Sequence, residues 1–256
     1  MRREFMEQFD FRPEGGGLVG IERESLLLDG HSKIAPLAPS VLTYLGGPNG
    51  RFGYELSACQ LEDRIGPVLI DDVVRALEDN DAIIRRAELA LGFTRAPFEV
   101  ASVDMPLDIY PDPSGRYQAL IENMPHEILS AACRVVGTHV HIGMPDPQVA
   151  LRVYRKVRRH WKKLAKMGDN SNGERLRLYR LMAPELEPPD YDSWTAYCDE
   201  AEAKDFLHDP RKCWHIIRLS VHGTIEFRMF GITRDVNRVA SWATACYTLC
   251  QQALEG

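Results

Sequence analysis

Four strand-like segments of this chain each carry two polar or charged residues separated by one position. The first, Gly20–Asp29, lies between a glycine run and an Asp-Gly turn, and its apolar residues are typical of a strand. Residues two apart in a strand point to the same face, so each pair places its side chains next to each other. The four pairs are Glu22/Glu24, Gln60/Glu62, His139/His141 and Glu226/Arg228. Together they predict one sheet whose polar face lines a common cleft.

Each pair has a plainer explanation when it is taken alone. Glu22 and Glu24 also fit the solvated face of an edge strand, and Glu226 with Arg228 fits an exposed ion pair that contributes little to stability. The two histidines also fit hydrogen-bonded structural residues, and His141 fits a supporting partner of His139. The functional interpretation depends on the four pairs occurring together.

Apolar residues that recur every three or four positions predict the helices. A further strand is expected at 98–104, a loop at 105–116, a lead-in at 1–17 and an irregular segment at 168–192. No internal repeat, low-complexity run or linker interrupts the chain, so we expect a single domain over 1–256. The helices are predicted at 69–91, 117–131, 147–167, 193–207 and 234–254.

The ionisable residues of the four segments suit a hard divalent cation. Carboxylates dominate, with histidine as the softer ligand, and this set favours Mg²⁺ or Mn²⁺ over structural zinc. Arg218, Arg228 and the three arginines within 175–180 are candidates for binding phosphate or a substrate carboxylate. Metal-binding carboxylates with anion-binding arginines are what phosphoryl transfer requires. A Walker-type GxxxxGK[ST] sequence is absent, so a P-loop would not hold the nucleotide.

Charge and composition restrict the classes of partner. The formal net charge of −6 argues against a nucleic-acid or anionic-membrane binder, and no apolar run is long enough to span a bilayer. The amino terminus lacks the apolar core of a signal peptide, and the six cysteines show no CxxC pair, so we expect a cytoplasmic protein with reduced thiols. The basic helix at 152–166 is explained by a solvated face or, as a second interpretation, by a docking surface for an acidic protein such as a carrier protein. A homodimer is left open.

At these residues the chain resembles the glutamate–cysteine ligase type 2 family of carboxylate–amine ligases, within the glutamine synthetase superfamily. Four motifs carry the resemblance, in order, over about residues 18–250. The opening strand is Gly20-Ile21-Glu22-Arg23-Glu24-Ser25-Leu26, and the central motif is Gly137-Thr138-His139-Val140-His141-Ile142-Gly143. The other two are Glu55…Gln60-Leu61-Glu62 before Pro67, and Trp214…Arg218 with Gly223-Thr224-Ile225-Glu226-Phe227-Arg228.

The resemblance implies an α+β fold in which a curved, mostly antiparallel sheet forms a half-barrel with helices on its outer side. It implies that ATP phosphorylates a carboxylate, commonly the γ-carboxylate of glutamate, and that an amine then attacks the acyl phosphate to give an amide, ADP and phosphate. It implies catalytic or phosphate-binding roles for Arg228, Arg218 and Arg177, with Thr224 also near the nucleotide. The implied ligands of Mg²⁺ or Mn²⁺ are Glu22, Glu24, Glu55, Glu62, His139, His141 and Glu226.

The chain also departs from the family pattern. It is shorter than the family members, mainly within 168–192, and Phe230-Gly231-Ile232 stands where an acidic residue is expected. The acyl substrate and the amine acceptor therefore stay open. Two other hypotheses remain: a metal-dependent hydrolase that uses His139 and His141 with carboxylates, and an inactive relative that binds a nucleotide or a partner.

Overall fold

The computed structural model describes residues 2–255 and has a seven-stranded, antiparallel sheet at its centre. Six strands follow the order β2-β3-β1-β5-β7-β6, and β4 pairs with the end of β1. The sheet is curved and open, which confirms the α+β fold predicted from the sequence. The strands are β1 Val19–Leu28, β2 Phe52–Tyr54, β3 Gln60–Val68, β4 Thr94–Arg95, β5 Thr138–Gly143, β6 Ile217–Ser220 and β7 Thr224–Phe230.

Ten α-helices are found in the described part of the chain. Short 3₁₀ turns at Pro13–Gly15, Ile70–Asp72, Arg158–His160 and Pro210–Lys212 accompany them. The helices are α1 Arg2–Met6, α2 Ala38–Tyr44, α3 Val73–Leu91, α4 Arg116–Ile121, α5 His126–Arg134, α6 Pro147–Val157, α7 Trp161–Gly168, α8 Glu174–Met182, α9 Trp194–Ala203 and α10 Val236–Glu255.

Three of the predicted helices are confirmed, at α3, α9 and α10, and so is the loop at 105–116, whereas two helices and two other segments need correction. The helix expected at 117–131 is two helices, because Pro125 adopts an extended conformation between α4 and α5. The helix expected at 147–167 is divided into α6 and α7 by the turn at Arg158–His160. Residues 98–104 contain only one isolated bridge, Val100 to Val135, and the segment expected to be irregular at 168–192 contains α8.

The two faces of the sheet differ in character. On one face Ile21, Val140, Ile225 and Phe227 are buried in the main apolar core, which α6, α7 and α10 complete. The alternation within each strand turns the neighbouring residues to the opposite face. Those neighbours are the glutamates, histidines and arginines of the four pairs, so the helical layer supports a rigid sheet that carries the candidate site.

No helix among residues 2–255 is both long enough and apolar enough to cross a membrane.

Candidate active site

The strand register brings the predicted pairs next to one another across four strands. Glu24 of β1 lies opposite Glu62 of β3, and Glu22 lies opposite His139 of β5. Further along, His141 lies opposite Glu226 of β7. The cluster therefore belongs to one face, as the i, i+2 spacing predicts.

His139 lies between the two carboxylates of β1. Its Nδ1 is 3.2 Å from Glu22 Oε2, and its Nε2 is 3.6 Å from Glu24 Oε1. Glu24 Oε2 accepts a 2.7 Å hydrogen bond from the backbone N–H of Gly137, just before β5. This bond fixes the Glu24 carboxylate against the strand that carries both histidines.

His141 presents a ring nitrogen that has no hydrogen-bond partner. Its Nδ1 lies 2.8 Å from the hydroxyl of Thr224, whereas its buried Nε2 makes no hydrogen bond and lies 3.6 Å from Glu22 Oε2. Donor atoms of Glu22, His141 and Glu226 all lie within 4.8 Å of one another. If Nδ1 donates its proton to Thr224, the lone pair of Nε2 is directed to this group, as in a metal-binding histidine.

Neighbouring charges shift the pKa values of Glu22 and His141 in this group. Burial acts to raise the pKa of Glu22, but His141 and His139 lower it by more, and the net pKa is well below the usual range. Burial likewise acts to lower the pKa of His141, but Glu22 and Glu226 outweigh burial and raise it. A cation bound here would replace the proton of His141, because only the neutral ring is a ligand.

The carboxylates of β3 and of the segment before it crowd the other side of β1. Burial and the charge of Glu22 raise the pKa of Glu62 to about 8, although Arg64 forms an ion pair with it and opposes the shift. Burial and the charges of Glu62, Glu24 and Glu22 also raise the pKa of Glu55 well above its usual range. This part of the cleft therefore brings together more carboxyl groups than Arg64 can stabilise in the charged form.

Glu226 is held between two arginines. Arg218 donates to both of its carboxylate oxygens, from Nε at 2.7 Å and from Nη2 at 3.1 Å, and Arg228 Nη1 donates to Oε1. Burial acts to raise the pKa of Glu226, but the two guanidinium charges lower it far below the usual range. A carboxylate has about four acceptor positions, so three bonds leave about one for a metal.

The two arginines differ in the number of donors that they have left. Arg218 uses its remaining donors mainly on the carbonyls of Arg211 and Cys213, at 2.9 and 2.8 Å. Arg228 bonds Glu226 and the Tyr179 hydroxyl, at 3.1 Å, and its guanidinium lies 5.8 Å from the ring centre of Trp214. Since a guanidinium has five N–H donors, Arg228 keeps donors for a ligand and Arg218 has few.

The structure does not bring Arg177 into the cluster. Arg177 is exposed and pairs with Glu174 on α8, and Arg180 is exposed near Glu187. The arginine of α8 that reaches the sheet is Arg175, which is only 3% exposed.

Arg175 donates to three backbone carbonyls instead of a carboxylate. They belong to Val136, just before β5, and to Arg228 and Met229 of β7. A side chain at Gly137 would collide with this guanidinium, so the glycine of the central motif makes room for it. Arg175 thus ties together the ends of β5 and β7 beside the carboxylate cluster.

Several of these roles could not be obtained from the sequence. The Gln60 amide bonds to the backbone rather than to a carboxylate, since it donates to the carbonyls of Cys133 and Val135. Thr224, expected near the nucleotide, is bonded to His141. Arg64 continues the i, i+2 pattern of Gln60 and Glu62, so its place in the cleft could have been predicted from the spacing. No local signal in the sequence indicates that Tyr179 contacts Arg228.

The residues present fit a divalent cation. The buried Nε2 of His141 makes no hydrogen bond, and Glu22 and Glu226 supply carboxylate oxygens beside it, which together form a donor set for a cation. Crowded carboxylates with a raised pKa, as at Glu62, would also be relieved by positive charge. Oxygen-rich sites with one imidazole suit Mg²⁺ or Mn²⁺.

Sequence comparison finds relatives over most of the chain. A Rubrobacter xylanophilus protein named "Putative glutamate–cysteine ligase 2-3" is 27% identical over 260 residues, covering 93% of this chain and 70% of its own length. A Rhodospirillum rubrum protein named "Putative glutamate–cysteine ligase 2" is 28% identical over 237 residues, covering 82% of this chain and 59% of its own length. No model of a known protein family matches the chain.

Solved structures share the fold at low sequence identity. A bifunctional glutathione synthetase from Pasteurella multocida superposes with a TM-score of 0.65 at 14% identity, over 94% of this chain and 41% of that one. Plasmodium falciparum glutamine synthetase superposes with a TM-score of 0.51 at 13% identity, over 99% of this chain and 55% of that one. The chain thus spans about half the length of these two solved structures. By its sequence relatives it is related to the glutamate–cysteine ligase type 2 proteins, as its four motifs predict.

Proposed function

We propose that this chain is an ATP-dependent carboxylate–amine ligase that forms an amide, γ-glutamyl in the simplest case, through an acyl phosphate. The observation that carries the proposal is the group of Glu22, His141 and Glu226 on the sheet face opposite the main apolar core, with arginines on β6 and β7 beside it. The names of the relatives support the same reaction class.

In this proposal the glutamates and histidines of β1, β3, β5 and β7 hold the cation. Mg²⁺ or Mn²⁺ would neutralise phosphate charge and orient the nucleotide. Thr224 fixes the ring of His141, and the Gly137 N–H fixes Glu24. The proposed ligands are Glu22, Glu24, Glu62, His139, His141 and Glu226, with Glu55 as a further carboxylate.

The reaction would proceed in two displacements. A carboxylate oxygen of the acyl substrate attacks the γ-phosphorus of ATP, the bond to the β-phosphate oxygen breaks, and ADP leaves. The amine nitrogen then attacks the acyl carbon and loses a proton to solvent as inorganic phosphate departs. Arg228, with its remaining donors, would bind the transferred phosphoryl group, and Arg218 would position Glu226.

The test is product formation from ATP and Mg²⁺ with a pool of amino acids, with and without glutamate. We expect ADP together with a new mass equal to two substrates less water. Glu24→Gln should lose turnover, because its carboxylate lies 3.6 Å from His139 and faces Glu62. Glu78→Gln, an exposed residue of α3, is the matched control and should retain it.

Other outcomes would decide between the remaining hypotheses. Full ATP-dependent activity of Glu24→Gln would contradict the metal assignment. Metal-dependent nucleotide binding without turnover would favour the inactive relative, and hydrolysis that does not depend on ATP would favour the hydrolase.

A further inference from the structure

The helical run 147–168, which comprises α6, the Arg158–His160 turn and α7, concentrates positive charge. It contains eight lysines and arginines and no aspartate or glutamate, in a chain whose formal net charge is −6. A solvated helix face normally mixes both signs of charge. The composition of this run therefore calls for a physical explanation.

Packing directs this charge outward. Val153, Tyr154, Val157 and Leu164 are buried against the core, and α6 and α7 contact α10 and β7 on that side. The basic residues recur at three- and four-residue intervals and form a stripe about 21 Å long at 1.5 Å per residue. We call this stripe the basic surface, and its members are Arg152, Arg155, Lys156, Arg158, Arg159, Lys162, Lys163 and Lys166.

Most of the basic surface has no carboxylate partner. Arg155 and Arg158 share Asp190, and Lys156 donates to the carbonyl of Ala253. Within residues 2–255 no ion pair involves the remaining members, which are Arg152, Arg159, Lys162, Lys163 and Lys166. An external anion would lower the repulsion among these like charges.

A groove of about 320 Å³ lies along the first half of the stripe. Arg152, Arg155, Lys156 and Arg159 line it together with Gln148 and Leu151, and Asp192 is its one acidic lining residue. Asp146 caps α6 at this end by accepting the N–H of Val149 at 2.8 Å. The groove therefore has a fixed wall, guanidinium donors and one apolar contact.

The side chains favour an acidic protein over other polyanions. Trp161 is buried, so the stripe has no exposed aromatic ring on which a base could stack. Met167 is its one exposed large apolar residue, which is too little for membrane insertion. Guanidinium groups match carboxylates in bidentate geometry, and the groove has room for the side chains of a peptide.

We propose that the basic surface docks an acidic segment of another protein. The surface lies on the outer side of the helical layer, across the sheet from the carboxylate cluster. The interaction is therefore separate from the proposed ligase chemistry and would hold even if that chemistry were wrong.

The test is fluorescence anisotropy with a labelled helical peptide of about 14 residues, rich in glutamate, and an otherwise identical peptide with glutamine. We expect the glutamate peptide alone to bind, and to bind more weakly at about 300 mM than at about 50 mM salt. Arg152→Glu/Arg159→Glu should weaken binding about tenfold or more. Arg85→Glu/Arg86→Glu, an equal charge change on the exposed face of α3, is the control and should bind as the parent protein does.

Four results would overturn the proposal. The first is no binding of the glutamate peptide up to about 1 mM. The second is equal weakening by the control variant, which would mean a net-charge effect. The others are equal or tighter binding of single-stranded DNA of similar charge, or of vesicles containing phosphatidylserine, which would mean a different class of partner. Circular dichroism of both variants verifies that they are folded.

Discussion

Replacing Glu226 with glutamine should destabilise the protein as well as inactivate it. The Glu226 side chain is 1% exposed and accepts bonds from both Arg218 and Arg228, whose side chains are 12% and 11% exposed. Glutamine keeps the shape but removes the negative charge, so two largely buried guanidinium groups lose their counter-charge. The consequence is a cost in unfolding free energy that does not depend on any ligand.

The size of that cost follows from the burial of the group. Removing one partner of a buried ion pair costs about 3–5 kcal/mol, and the lower end applies because the glutamine oxygen still accepts a hydrogen bond. With a slope of about 3 kcal/mol per molar urea, a loss of about 3 kcal/mol moves the midpoint by about 1 M. Urea unfolding followed by circular dichroism and tryptophan fluorescence measures it.

Glu24→Gln is the matched comparison. Glu24 is 15% exposed, and its main hydrogen bond comes from the Gly137 N–H, which a glutamine oxygen also accepts. We expect its unfolding free energy to change by less than about 1 kcal/mol. Equal urea midpoints for the two variants, with unchanged slopes, would refute the reasoning about Glu226. Adding Arg228→Met to Glu226→Gln should recover part of the loss, because one unpaired charge is removed.

Three further predictions follow from buried contacts. Burial lowers the pKa of His215 to about 4, so below pH 6.5 the unfolded chain binds a proton that the folded chain does not bind. The free energy of unfolding should therefore fall by up to about 3 kcal/mol from pH 6.5 to 4, and His215→Gln should reduce that loss. Gly231→Ala should lower the melting temperature, because a methyl group there would collide with the buried Glu99 carboxylate. His141→Asn should weaken Mn²⁺ binding, measured by electron paramagnetic resonance, at least about tenfold.

Each of these has a control or a contradicting result. If His215→Gln loses as much stability between pH 6.5 and 4 as the parent protein, other groups cause that loss. Gly50→Ala is the control for Gly231→Ala, since nothing lies within 4 Å of its new methyl group, and equal melting temperatures would disprove the collision. Unchanged Mn²⁺ affinity in His141→Asn would remove that ring from the metal site.

The sequence predicts which residues share a face but not which residues meet across strands. The spacing of Glu22 and Glu24 fixes their common side because a strand alternates every residue. That Glu24 lies opposite Glu62 depends on the register between β1 and β3, which tertiary packing sets. The sequence also does not predict which arginine of α8 reaches the sheet. Arg177 is exposed and Arg175 is buried because of how α8 packs, which composition alone does not reveal.

The segments that were predicted wrongly also lacked a local determinant. Residues 98–104 are apolar enough for a strand but make only one bridge, since a strand requires a continuous partner. Residues 174–182 form a helix although their arginines and the flanking glycine and prolines favoured an irregular segment. In both cases tertiary contacts override local propensity.

The charge of the cleft is divided between its two sides. Near β1 and β3 the carboxyl groups outnumber their arginine partner, Arg64. Burial and the charge of Glu22 raise the pKa of Glu62 there. Near β6 and β7 the two guanidinium groups of Arg218 and Arg228 exceed Glu226, whose pKa is lowered. A ligand that carries a cation on one side and phosphates on the other would match this division. We therefore expect a bound nucleotide to direct its transferable phosphate toward Arg228 on β7, because the reverse orientation would set that phosphate against the carboxylates of β1 and β3.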